Sequence, residues 1–193
     1  MEKPSMPRGR TRSEDSREAI LAAAVSIIGA DGYAALSIER IARESGTGKQ
    51  TIYRWWPTKA DVVMEALLHK AEMHIPVPDT GSVHDDVREF LAASWRLARM
   101  PQVADLLRAL AAEAQLDPVF AGRFRDTFIE HRRAALTTIL SRHSPPQSVP
   151  GIRVSTLVDV VFGVLWYRLL IMPTDFDDAL ADELANLITT GAN

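Results

Sequence analysis

Between positions 37 and 56, two short helical patterns are separated by only Gly46, Thr47 and Gly48. The first opens at Ser37, a residue type suited to an N-cap, and Leu36 and Ile41 have the spacing of a hydrophobic staple. It stops at Gly46, and the second pattern covers 49–55. Two short helices joined through a tight, glycine-containing turn form a helix-turn-helix.

Helical spacing continues along almost all of the chain, broken by cap residues, glycine and proline, and no strand pattern stands out. The expected fold is all-α with about nine helices: a three-helix N-terminal helix-turn-helix domain and a larger helical C-terminal domain. Helix one is expected to start at Ser13, with Glu14 and Asp15 at its positive end, and to stop at Gly32. Helix four opens at Thr58, in the capping-box-like run Thr58-Lys59-Ala60-Asp61, and reaches about Ile75. Residues 76–81, with two prolines and a glycine, are the clearest boundary.

Helices are then expected from Ser82 to about Arg99, from Pro101 to about Gln115, and from Asp117-Pro118 to about Arg142. A proline-rich loop over 143–151 leads to two last helices, over 153–172 and 176–190. The expected organisation is a flexible basic arm (1–12), a helix-turn-helix domain (13–58), a connecting helix (59–75) and a C-terminal domain (76–193).

The net charge of −3 is unevenly divided. Residues 1–60 carry ten lysines and arginines against seven acids, net +3, and the remainder carries −6. A basic head on an acidic body is what a chain needs if only the head meets a polyanion. The absence of cysteine excludes a disulfide framework, a thiolate zinc site and a thiol nucleophile, and fits the cytoplasm. The apolar stretch 154–172 contains Asp159 and Arg168, too much charge for a membrane span, so it reads as a buried helix.

The run LSIERIARESGTGKQTIYRWWPTK, residues 36–59, resembles the DNA-binding signature of the TetR/AcrR family of transcriptional regulators. Ile41-Ala42, Gly46, Thr51-Ile52-Tyr53 and the aromatic-Pro-x-Lys ending at Lys59 fall at that family's spacing. Two positions depart from it: Thr47-Gly48 stands where many members have Val-Ser, and Trp55-Trp56 where a pair such as His-Phe is commoner. The first removes a hydroxyl cap, which glycine replaces at a cost of only a few tenths of a kcal/mol.

The resemblance implies a second helix that enters the major groove of double-stranded DNA, with Ile41, Ile52 and Trp56 as core. Lys49 and Gln50 at its leading end suit guanine and adenine edges. Thr51 and Tyr53 offer hydroxyls to phosphates, and Lys59 adds charge at a helix N-terminus. Ser37, Arg54 and Trp55 complete the expected DNA-binding set. Arg40, Arg43 and Arg54 divide evenly between phosphate contact and plain surface. Arg8, Arg10 and Arg12 either enter a minor groove or form a tail with nonspecific attraction.

The resemblance further implies a homodimer through the last two helices, with Asp159, Gly163, Leu180, Leu184 and Leu187 at the interface, and release from DNA by an unknown small-molecule effector. Trp95, Met100, Phe120, Phe124, Phe128, His131, Trp166 and Tyr167 are the candidate effector-lining residues, although such spacing is also that of ordinary core. No cofactor, metal or membrane partner is expected. Against an enzyme, the five histidines form no His-Glu-x-x-His pattern, and Glu65 with His69 supplies only two ligands. An interaction module that kept the fold but lost DNA binding is the other alternative, opposed by Tyr53 and Lys59.

Overall fold

A computed structural model describes residues 8–142, 151–172 and 176–189, with side chains from Ser13 onward. Nine helices, and no strand, are found among the described residues: α1 (Arg8–Asp31), α2 (Ile38–Ser45), α3 (Lys49–Trp55), α4 (Lys59–His74), α5 (Val83–Ala98), α6 (Pro101–Leu116), α7 (118–141), α8 (Val154–Leu170) and α9 (Asp178–Thr189). The chain divides into two compact units, Met1–Leu67 and Leu68–Asn193, and α4 contributes to both.

In the first unit α1 starts at Arg8, five residues before the expected cap at Ser13. Serine is tolerated inside a helix, so Ser13 need not open one. Arg8, Arg10 and Arg12 are therefore helical, and the rest of the expected arm lies outside the described residues. Ile20, Ala24 and Ile27 form the buried stripe of α1. After Gly32 (φ 80°), a 3-10 turn at Tyr33–Ala35 brings the chain to Leu36.

The Ser37 hydroxyl accepts the Arg40 amide at 3.2 Å and caps α2, while Leu36 and Ile41, the staple pair, are both buried. Gly46 ends α2 in the left-handed region (φ 67°, ψ 20°), where a Cβ would be strained. Gly48 caps α3 without a side chain. Thr58 and Asp61 cap α4 reciprocally: Asp61 Oδ2 accepts from the Thr58 amide at 3.0 Å, and Thr58 Oγ1 accepts from the Asp61 amide at 3.3 Å.

In the second unit α5 is the central helix, with Val87, Phe90, Leu91 and Trp95 all at most 1% exposed. Ser82 caps it by accepting the Asp85 amide, the Ser82 amide donates to Thr80 Oγ1, and Asp86 accepts from both the amide and hydroxyl of Thr80. Helix α9 packs on α5, joined at its rim by Arg88–Asp182 (2.5 Å) and His84–Asn186 (3.1 Å). Asp117 caps α7 by accepting the amides of Val119 and Phe120.

Helix α7 widens into a π-helical stretch at Phe124–Ile129 between the α-helical segments Pro118–Arg123 and Glu130–Ser141. In an α-helix a stripe at four-residue spacing drifts round the axis by roughly 40° per step. The wider π turn takes that drift back. Phe120, Phe124 and Phe128 consequently stack with centroids 6.0 and 5.6 Å apart and planes 9° and 7° from parallel.

Several expected roles change on this frame. Leu180 and Leu184 are 6% and 5% exposed, on the face of α9 that is buried within the chain. They are core residues rather than interface residues, and only Leu187, 59% exposed, points outward. Asp159 pairs with Arg133 of its own chain at 2.7 Å, and a Cβ on Gly163 would meet nothing within 4 Å. Met100 and Tyr167 are exposed, and His131 lies on the surface 3.7 Å from Glu72, so these three do not join the phenyl stack. Trp95 is buried, with Phe176 as its ring partner.

Candidate nucleic-acid interface

Helix α3 is too short to hold itself; isolated helices of this length are not stable in water. Its position depends on Ile52, the one residue of α3 that is buried, and on Trp56 immediately after it. Trp56 lies under the helix end and donates its indole N–H to Glu65 Oε2 of α4 at 2.8 Å. The other oxygen of Glu65 accepts from Arg17 Nε of α1 at 2.6 Å. One carboxylate thus ties α1, α4 and the end of the recognition segment, and it raises the pKa of Arg17 chiefly through that hydrogen bond.

With Ile52 inward, Lys49, Gln50, Tyr53 and Arg54 are all exposed, Tyr53 at 52%. Spacings of one and four residues put these four on one face. Thr51 and Trp55 are half-buried at its flanks. Trp55 packs edge-on against Trp56 (5.4 Å, 85°), and the Arg54 guanidinium lies 5.1 Å over its ring. The face carries two cations, an amide and a phenol, suited to phosphates and base edges.

Nearby acids already engage some of the cations. Lys49 Nζ is 3.2 Å from Glu39, a pair with both side chains more than half exposed. The Glu39 carboxyl is held below its ordinary pKa, first by its own backbone N–H and next by Lys49. Such a solvated pair is weak and exchangeable. Arg40 pairs with both Asp31 and Glu44, so it is a head-stabilising residue and not a free phosphate ligand. Arg43 is exposed. Ser37 also departs from the expected role: its hydroxyl oxygen caps α2, and the group hydrogen-bonds Glu39 as well.

Lys59 departs most from the expectation. Its ammonium donates to the Leu36 carbonyl at 3.0 Å and lies 4.4 Å over the Tyr33 ring. The N-terminus of α4 that was to attract a phosphate is occupied by Asp61, which is buried. Lys59 is therefore a tie between α4 and the segment entering α2. Glu65 ties α1, α4 and Trp56 and is not a metal ligand. The signal for its actual role is that a buried tryptophan requires an acceptor for its indole N–H. No group of three or more His, Asp or Glu able to hold a metal occurs among the described residues. No described helix is long and apolar enough to cross a membrane.

This arrangement, a short helix held from inside with a polar face outward, defines a helix-turn-helix DNA-binding protein. Residues 20–66 match the family described as bacterial regulatory proteins, tetR family, and residues 77–188 match the tetracyclin repressor-like C-terminal domain. The chain belongs to the TetR family of transcriptional regulators. It is 31% identical over 180 residues to the uncharacterized HTH-type transcriptional regulator YdeS of Bacillus subtilis, covering 92% of this chain and 89% of that protein.

Among solved structures, the TetR family regulator SCO0332 superposes with a TM-score of 0.79 at 31% identity, covering 92% of this chain and 98% of that one. FadR of Bacillus subtilis, solved in complex with stearoyl-CoA, shares the fold at a TM-score of 0.69 and 18% identity, covering 91% and 99%. The family and these relatives are regulators rather than enzymes.

Proposed function

We propose that the protein is a cytoplasmic repressor that binds a palindromic operator as a homodimer and leaves it when a small molecule binds the second unit. The observation that carries this reading is the outward face of α3, where Lys49, Gln50, Tyr53 and Arg54 stand together on a helix locked by Ile52 and Trp56. One such face reads few base pairs, and two-fold pairing doubles the site. Dimerisation is supported by apolar side chains left in solvent on and just after α8 and on α9: Val160, Tyr167, Leu170, Ile171 and Leu187. Effector control is supported by the ligand complex of FadR, which has the same fold. A ligand releases DNA only through higher affinity for a dimer whose two heads no longer match successive major grooves.

Selection from a randomised duplex library, with Tyr53→Ala in parallel, tests the reading. The wild type is expected to enrich one palindrome, with half-sites about 34–36 Å apart or a multiple of that. Tyr53→Ala is expected to weaken binding to all sequences alike, with little change in the salt slope because the phenol carries no charge. Enrichment of nothing, by protein unfolded and refolded to strip any ligand, would overturn it. Gln50→Ala is expected to lose about 1–3 kcal/mol at one base position per half-site, measured by competition among single-base operator variants. A uniform loss across those variants would remove Gln50 from the reading set.

A further inference from the structure

Arg132 lies on α7 one four-residue step beyond Phe128, continuing the line of Phe120, Phe124 and Phe128. It is 6% exposed, and its Nη2 has no hydrogen-bond partner. Its guanidinium carbon sits 5.1 Å over the Phe90 ring of α5, a contact that leaves the N–H edge of the fork unused. Glu72 attracts it but gives it no hydrogen bond, being half exposed and 3.7 Å from His131. Burial pushes the Arg132 pKa down, and Glu72 pulls it up. Buried donors are almost always satisfied, so the unfilled Nη2 calls for an acceptor.

The residues that precede Arg132 on that line of α7 are aromatic. Phe120, Phe124 and Phe128 stack along α7, with the Arg123 guanidinium 5.7 Å over Phe120 at the far end, and half-buried Trp166 stands edge-on to Phe124 at 6.3 Å and 80°. The π-helical stretch that keeps the rings in line occurs in helices frequently at functional sites. A row of aromatic rings that ends at a buried guanidinium with an unfilled N–H donor matches a molecule with an apolar body and one carboxylate, since a planar fork pairs two oxygens at once.

We propose that Arg132 is the anion anchor of the effector site and that the effector is an amphipathic carboxylic acid, its body lying along Phe120, Phe124 and Phe128. This rests on the reading that the second unit binds an effector. Before ligand arrives Arg132 holds one buried N–H donor group unfilled, at the expense of stability. Ligand supplies the acceptor, so binding and relief of that expense coincide.

The experiment uses the full chain and two probe pairs, octanoate with methyl octanoate and phenylbutyrate with its methyl ester, by calorimetry. In the wild type at least one acid is expected to bind more than about tenfold tighter than its ester. Arg132→Met is expected to bind acid and ester alike, at the wild-type ester affinity. Ligand-free Arg132→Met is expected to unfold at or above the wild-type temperature, because it removes a buried guanidinium with an unfilled donor. Arg132→Lys, which keeps the charge without the fork, is expected to retain a reduced acid preference.

Equal binding of acid and ester by the wild type, or an acid preference surviving Arg132→Met, overturns the anchor and leaves the effector reading standing. A marked fall in the unfolding temperature of ligand-free Arg132→Met overturns it too, by making Arg132 a structural residue. Binding of neither member of either pair also overturns the anchor. The effector reading is then decided separately, by whether stripping the protein through unfolding and refolding changes its operator affinity.

Discussion

Ile52→Ala is expected to destabilise the N-terminal unit by about 2–5 kcal/mol and to abolish operator binding. Ile52 is fully buried and is the one side chain through which α3 enters the core. Removing its outer carbons leaves a cavity that a seven-residue helix cannot collapse into without losing its own register. Urea unfolding, followed by the tryptophan emission of Trp55 and Trp56 in single-domain-tryptophan variants, reads the stability. Gel shift reads the operator. A stable variant with intact binding would mean that Trp56 and Glu65 alone position α3.

Lys59→Ala is expected to lower both stability and DNA affinity, whereas Tyr53→Ala lowers affinity alone. The lysine hydrogen bond to the Leu36 carbonyl is charge-assisted, and the ammonium also lies over Tyr33. Losing these is expected to cost about 2–3 kcal/mol, because the carbonyl is left without its donor. The affinity loss follows from misplacement of Ser37 and α2, which come one and two residues after that carbonyl. Urea unfolding and operator titration at several salt concentrations check it. An unchanged unfolding midpoint with a reduced salt slope would restore Lys59 to the role of phosphate ligand.

The two variants also mark where reading the chain alone succeeds. Ser37, Gly46, Thr58 and Asp117 act within three or four residues of themselves, so their caps are legible from local order. The exposed set Lys49, Gln50, Tyr53 and Arg54 follows from Ile52 pointing inward, again a local inference. Leu180 and Leu184 were misplaced because an apolar helical stripe says that something covers it, not whether the cover is α5 or another chain. Met100 and Tyr167 were misplaced for the related reason that residue type does not give the side of a helix its neighbours occupy.

Periodicity, caps and turn residues therefore determined the all-helical fold and the helix-turn-helix, because those signals are interactions between residues close in sequence. Tertiary structure decided which polar groups meet. Lys59 finds a carbonyl 23 residues away, Glu65 joins Arg17 48 residues away to Trp56, and Arg132 is left facing a phenyl ring of α5 with a donor unfilled. Those outcomes depend on how helices pack, and packing is set by the summed burial of many side chains rather than by the residues that end up in contact.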